Sequence, residues 1–183
     1  VIITKDMARR VHAALPRVRN WIDAYLDLHA GRARAVSSLG FPRLATCFPR
    51  RILERTATVT VDHVTFPPVD QFGLPELALM QELPLAGITY KDTCFLRRDL
   101  LEEALLFHEL VHVVQWEKLG ANHFLLAYGL GLLQSGYRDC ALERTAHRLQ
   151  GEFESDALPE NVVRVVEDEA DGAWSRARDL LHG

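Results

Sequence analysis

Three cysteines, Cys47, Cys94 and Cys140, are an odd number, lie far apart and form no Cys-x-x-Cys pair. That excludes a disulfide framework and a thiolate zinc site, and it fits a reducing compartment. Positive charge is not in excess either: 21 Lys and Arg stand against 25 Asp and Glu, a net charge of -4. No overall basic field is present to hold nucleic-acid phosphates. Long hydrophobic runs are missing; the longest nearly apolar stretch, Phe124 to Leu133, is about half of what a membrane span needs. The opening VIITKDMARR contains no secretory apolar segment. These absences lead us to expect a cytoplasmic protein with neither a nucleic-acid partner nor a membrane span. No P-loop, dinucleotide fingerprint, Ser/His/Asp order or internal repeat occurs.

What remains is an ordinary globular composition, 48% hydrophobic and 25% charged over 183 residues. Such a chain forms one domain and buries roughly two thirds of its unfolded surface. From Asp6 to Ala30, the residues Val11, Leu15, Val18, Ile22 and Leu26 recur at three- and four-residue steps, predicting an amphipathic helix that Pro16 kinks or divides. An arginine-rich stretch from Arg32 to Arg55 reads as solvated surface. TATVTVDHVTF, Thr56 to Phe66, alternates and is rich in β-branched residues, as a strand is. Residues 67–85 carry four prolines and predict loop, with a helical turn or two at Glu76 to Gln81. GITYKDTCFLRR then predicts a hairpin turning at Lys91-Asp92.

A long helix is expected from Asp99, with Asp99 as N-cap, Glu102 completing a capping box, and Gly120 as the stop. Apolar residues occupy nearly all its faces, so it should be central and buried. Further helices are expected near 121–135, 138–156 and 159–181, broken at Gly136 and Pro159. The expected architecture is a single α+β domain over 1–183. It comprises a helical and β part to about 98, metal-site helices over about 99–156, and a C-terminal helix. A small, mainly antiparallel sheet would pack on a helical bundle.

The central helix carries HELVHVVQW, residues 108–116. His108 and His112, four apart, project from one helix face and can share one ion. Glu109 lies on the adjoining flank. Burying three polar side chains unpartnered in an apolar helix costs several kcal/mol, and one metal ion relieves all three. Two imidazoles suit Zn²⁺, leaving room for a third ligand and a water whose proton Glu109 can take. Third-ligand candidates are His123, Glu143 and His147. The residues three and six beyond His112 are Gln115 and Lys118, which excludes the metzincin pattern. Glu143 is favoured, because it sits on the helical YRDCALERTAHRLQ with the small Ala146 one turn on.

HELVHVVQW followed by YRDCALERTA resembles the gluzincin metallopeptidases. More narrowly, residues 86–150 resemble small bacterial zincin-like domains with a HELxHVVQ core. The resemblance implies zinc ligands His108, His112 and Glu143, Glu109 as general base, and a peptide or protein substrate. It also implies that the CFLRR strand borders the cleft and offers an edge for peptide pairing. Tyr137, His147 and His123 are candidates for stabilising an oxyanion. The chain departs from thermolysin-like enzymes at His147, where those place an aspartate that supports a zinc histidine; Asp139 or Glu169 would have to substitute. The expected function is a zinc metallopeptidase. Its alternatives are a catalytically silent zinc-binding structural or interaction module and a zinc amidase acting on a non-peptide bond.

Overall fold

The computed structural model describes residues 2–182. Helix α1 spans Lys5–His29, capped by the Thr4 hydroxyl oxygen, which accepts from the Met7 amide. Pro16 lies inside it and removes one backbone donor. The helix nevertheless continues unbroken, because the stripe Val11, Ala14, Leu15, Val18 and Ile22 is buried on both sides of the proline. Strand β1 is only Arg34–Ala35. Short helices α2, Leu44–Cys47, and α3, Arg50–Arg55, lead into β2, Ala57–Val61. A 3₁₀ segment at Pro75–Glu82 sits where the proline-rich loop was expected to turn. The hairpin follows as β3, Gly87–Tyr90, and β4, Thr93–Arg97, with Lys91 in the left-handed region at its turn.

The protein is α+β, but its sheet is mixed rather than mainly antiparallel. The order is β1-β2-β4-β3; the outer pairs are antiparallel, while the longest, β2 with β4, is parallel and matches Val59 with Phe95. The hairpin places β3 outside β4, so β4 has both neighbours filled and β3 is the edge. CFLRR is therefore an interior strand without a free edge, contrary to expectation. Cys94, Phe95 and Leu96 are all fully buried, as an interior strand covered on both faces requires. Phe95 and Tyr90 meet Tyr25 of α1. Cys94 and Leu96 join a second core with Leu106, Phe107 and Leu110.

Those last residues belong to α4, Glu103–Ser135, which is buried continuously from Leu105 to Trp116. Its start differs from the expected Asp99. A 3₁₀ turn at Arg98–Leu100 and an extended Leu101 intervene, and Glu102 is the N-cap without a side-chain cap bond. Asp99 is engaged instead by the Arg97 guanidinium at 2.6 Å. At Gly120 the helix breaks as expected and resumes at once, with φ 70° and ψ 165° at the kink. That region is almost exclusive to glycine, and a Cβ there meets nothing within 4 Å, so the strain of a substitution is purely backbone. Gly120→Ala is expected to cost about 1–3 kcal/mol, read as a lower urea midpoint with an unchanged slope. Helices α5, Ala141–Glu154, and α6, Val162–His182, pack along α4. Among the described residues, no helix is long and apolar enough to cross a membrane.

Candidate metal centre

Two elements present polar side chains to one buried point. From α4, His108 and His112 bring their Nε2 atoms to 3.1 Å of each other. From the first turn of α5, Glu143 reaches His108 Nε2 with Oε2 and His112 Nε2 with Oε1, both at 3.5 Å. All three residues are at most 5% exposed. The meeting depends on Ala146, fully buried in the core that α4 and α5 share, where a larger side chain would hold the helices apart. A carboxylate in a first helical turn also gains from the helix dipole.

The nitrogens leave these groups incompletely satisfied. Glu143 Oε2, which faces the cluster, is buried with no hydrogen-bond partner, an arrangement that costs stability unless something else is bound; His108 Nδ1, the ring nitrogen not turned to the cluster, is also unpartnered. Tetrahedral donors 2.0–2.1 Å from one ion stand about 3.3–3.4 Å apart, close to the spacings between these side chains. His147 adds a further donor, its Nε2 3.8 Å from Glu143 Oε2. His108, Glu143 and His147 form a group able to hold a metal ion, although His147 is the exposed member. The His112 distances place it in the same cluster. Two donor sets therefore share His108 and Glu143, one completed by the buried His112 and one by the exposed His147.

The charge distribution follows from burial. Burial disfavours a charged His112 imidazole, but the Glu143 carboxylate outweighs it and raises the pKa to about 9. Burial likewise pushes Glu143 up, yet the charge of His112 and the bonds to both histidines hold it well below the usual carboxylate range. For Glu109, burial prevails over the nearby histidines and raises the carboxyl. The metal-free site thus holds an imidazolium–carboxylate pair beside a more basic carboxylate.

Three residues not anticipated as site residues arrange these groups. The Gln115 amide donates from Nε2 to the Leu142 carbonyl at 3.0 Å, which turns its Oε1 toward His112 Nδ1 at 2.8 Å. That fixes the Nδ1–H tautomer and leaves Nε2 facing the cluster. The Tyr128 hydroxyl donates to Glu143 Oε1 at 2.6 Å. The Thr89 hydroxyl donates to Glu109 Oε2 at 2.7 Å. Gln115 had a signal, since it follows His112 by three on the same helix face. Thr89 and Gly87 alternate on one face of β3, and Tyr128 is separated from the motif by the Gly120 kink. Neither expected substitute acid supports a histidine: Glu169 is taken by the Thr145 hydroxyl and Arg148, and among the described residues the acid paired with His108 and His112 is Glu143 rather than Asp139. Gln115→Ala is expected to weaken metal binding about 10–100-fold, measured by competition with a chromophoric chelator.

Gly87 is the other constraint. A Cβ at this position would stand 2.9 Å from Glu109 Cδ, so only glycine leaves space for the carboxylate. Tyr137 is half-buried beside the cluster, its ring 6.1 Å from that of His147, and burial together with the Glu143 charge raises its phenol pKa. His123 does not approach the site; it is exposed and stacks on Trp174 at 4.0 Å. Cys94 lies fully buried near Glu109, where burial pushes its thiol up, so it is not a reactive thiolate. No protein-family model, curated protein or solved structure matches this chain.

Proposed function

We propose that the protein is a zinc-dependent amide hydrolase of the gluzincin metallopeptidase type. The observation that carries this reading is the convergence of His108, His112 and Glu143 on one buried point, with the Glu109 carboxylate beside it and held by the Thr89 hydroxyl at Oε2. Zinc, when bound, supplies the positive charge that polarises a scissile carbonyl and acidifies a water molecule. Glu109, its pKa raised by burial and its Oε2 steadied by Thr89, takes the proton from water. It then passes the proton to the leaving nitrogen. Tyr137 and the exposed His147, beside the cluster, are the candidates to donate hydrogen bonds to a developing oxyanion.

A second reading rests on His147. Four protein donors around one ion make a closed structural site, and a zincin-like interaction module would need no hydrolysis. The partial exposure of His147, 47% of its side chain, favours the open site.

Elemental analysis after zinc loading and desalting tests the metal. About one zinc per chain is expected, and none retained would sink the proposal. Amide hydrolysis, screened on peptides and on N-acyl amines, should be abolished by a chelator and restored by zinc. Binding should also depend on pH. In the metal-free protein His112 is protonated at neutral pH, because its pKa is raised to about 9. Its pairing with Glu143 stabilises the metal-free fold fully below pH ~6.5, and that contribution fades as pH rises through about 9. Zinc must displace this proton, so affinity should rise toward about tenfold per pH unit below pH 9. Titration calorimetry in buffers of different ionisation enthalpy should register about one proton released near pH 7.

A further inference from the structure

The cluster opens onto a narrow cleft whose lining is almost wholly apolar, the chemistry common in small-molecule sites. Apart from His108, Glu109, His112 and Glu143, no charged residue lines it among the described residues. One wall is the α1 stripe Val11, Ala14, Leu15, Val18 and Ile22, which runs for about 16 Å at 1.5 Å per residue. Trp116, Phe124, Leu125 and Leu132 of α4 form the opposite side. Phe66, Leu74, Leu77 and Leu85 from the loop before β3 complete the lining. Arg10 straps that loop to α1 through the Gly73 carbonyl at 3.0 Å and Glu76, and Arg17 does so through the Phe72 carbonyl at 3.0 Å.

Away from the metal centre and Tyr137, the side-chain polar groups of the lining are already used. The Tyr90 hydroxyl donates to the Thr65 carbonyl at 2.7 Å, and the Trp116 indole donates to the Thr89 carbonyl at 3.1 Å. Tyr128 and Thr89 donate to Glu143 and Glu109. The backbone edge in the lining is that of β3, on another side of the cleft from α1; a peptide lying along the α1 wall would bring a donor and an acceptor with nearly every residue and find no partners on that wall. A hydrocarbon chain brings none. The length of the α1 stripe exceeds one amino-acid side chain and suits about a dozen bonds of an extended chain, at ~1.2 Å gained per bond.

We infer that the substrate is a long-chain N-acyl amide whose unbranched acyl chain fills this cleft, with its carbonyl at the metal centre. The inference rests on the hydrolase reading above. Water oxygen bonds to the acyl carbon and the carbon–nitrogen bond breaks. One water proton travels through Glu109 to the leaving nitrogen and the second is lost from the new carboxyl group to the amine, giving a fatty carboxylate and an ammonium ion.

Straight-chain hydroxamic acids from butanoyl to tetradecanoyl, titrated into zinc-loaded protein, test both ends of such a ligand. Affinity should rise about fourfold per added methylene until the chain fills the cleft, and Ala14→Phe should move that plateau to shorter chains. A flat series in which the butanoyl compound already binds overturns the acyl-chain inference and leaves the metal centre standing. A leucyl-peptide hydroxamate that binds as tightly as the dodecanoyl compound overturns it as well. Affinities whose absolute values, as well as their chain-length dependence, are unchanged when a chelator strips the metal support the cleft's occupant while removing the metal-hydrolase reading. The wild-type series decides the matter even if Ala14→Phe does not fold.

Discussion

Glu109→Gln is expected to retain zinc and lose amide hydrolysis, with kcat/KM lower by about 10²–10⁴-fold. The change is nearly isosteric and removes the one group beside the cluster that can accept a proton and is not itself a proposed ligand. The Thr89 hydroxyl can still donate to the glutamine oxygen, so the side chain should stay in place, and the loss then reports on basicity rather than position. Gly87→Ala separates the two. It keeps the carboxylate but intrudes on Glu109, so activity should fall with the metal content intact and the hydrolytic pH profile displaced. Equal hydrolysis by wild type and Glu109→Gln would remove Glu109 from the mechanism; zinc loss in Glu109→Gln would make it a structural partner of the ligands.

Much of the frame for this chemistry is legible along the chain. The burial of α4 follows from apolar residues on every face, and the hairpin follows from two β-prone runs around Lys91-Asp92. What periodicity does not encode is which strand lies at an edge. A hairpin whose second strand pairs in parallel with an earlier one puts CFLRR inside the sheet, and that partner lies more than thirty residues upstream. The helix start is missed for a related reason. Asp99 has the right chemistry for a cap, but Arg97 two residues earlier competes for its carboxylate, and the extended Leu101 delays the first turn.

The site divides in the same way. His108, Glu109 and His112 are fixed by helical spacing alone, whereas Glu143 reaches them only through the packing of α4 on α5. The groups that orient them are less visible still. A glutamine one turn beyond His112 reads as one more polar side chain until its amide is found between the imidazole and the Leu142 carbonyl. An acid was expected in that role because a carboxylate raises ligand basicity. A neutral amide fixes the same tautomer without adding negative charge beside Glu143 and Glu109, of which Glu143 already raises the proton affinity of Glu109.

Removing Glu143 should have the largest effect on metal affinity and separates the two readings of His147. Wild type with zinc at about a thousandfold excess over Kd should gain about 4 kcal/mol, or roughly 10 °C in Tm at this chain length. Glu143→Ala should lose that gain, because His112 and His108 alone leave the ion without its buried anionic ligand. The metal-free variant should also be less stable than metal-free wild type by about 3–5 kcal/mol, since it strands a buried imidazolium that Glu143 otherwise pairs. His147→Ala is the informative companion. Its side chain is nearly half exposed, so an open, three-ligand site predicts near-complete zinc retention and a selective fall in kcat. A closed, four-ligand site predicts zinc loss comparable to Glu143→Ala with no hydrolysis in any variant. Metal content and hydrolysis measured on the same two proteins therefore distinguish an exchangeable fourth position, where a substrate carbonyl can enter, from a zinc that only ties α4 to α5.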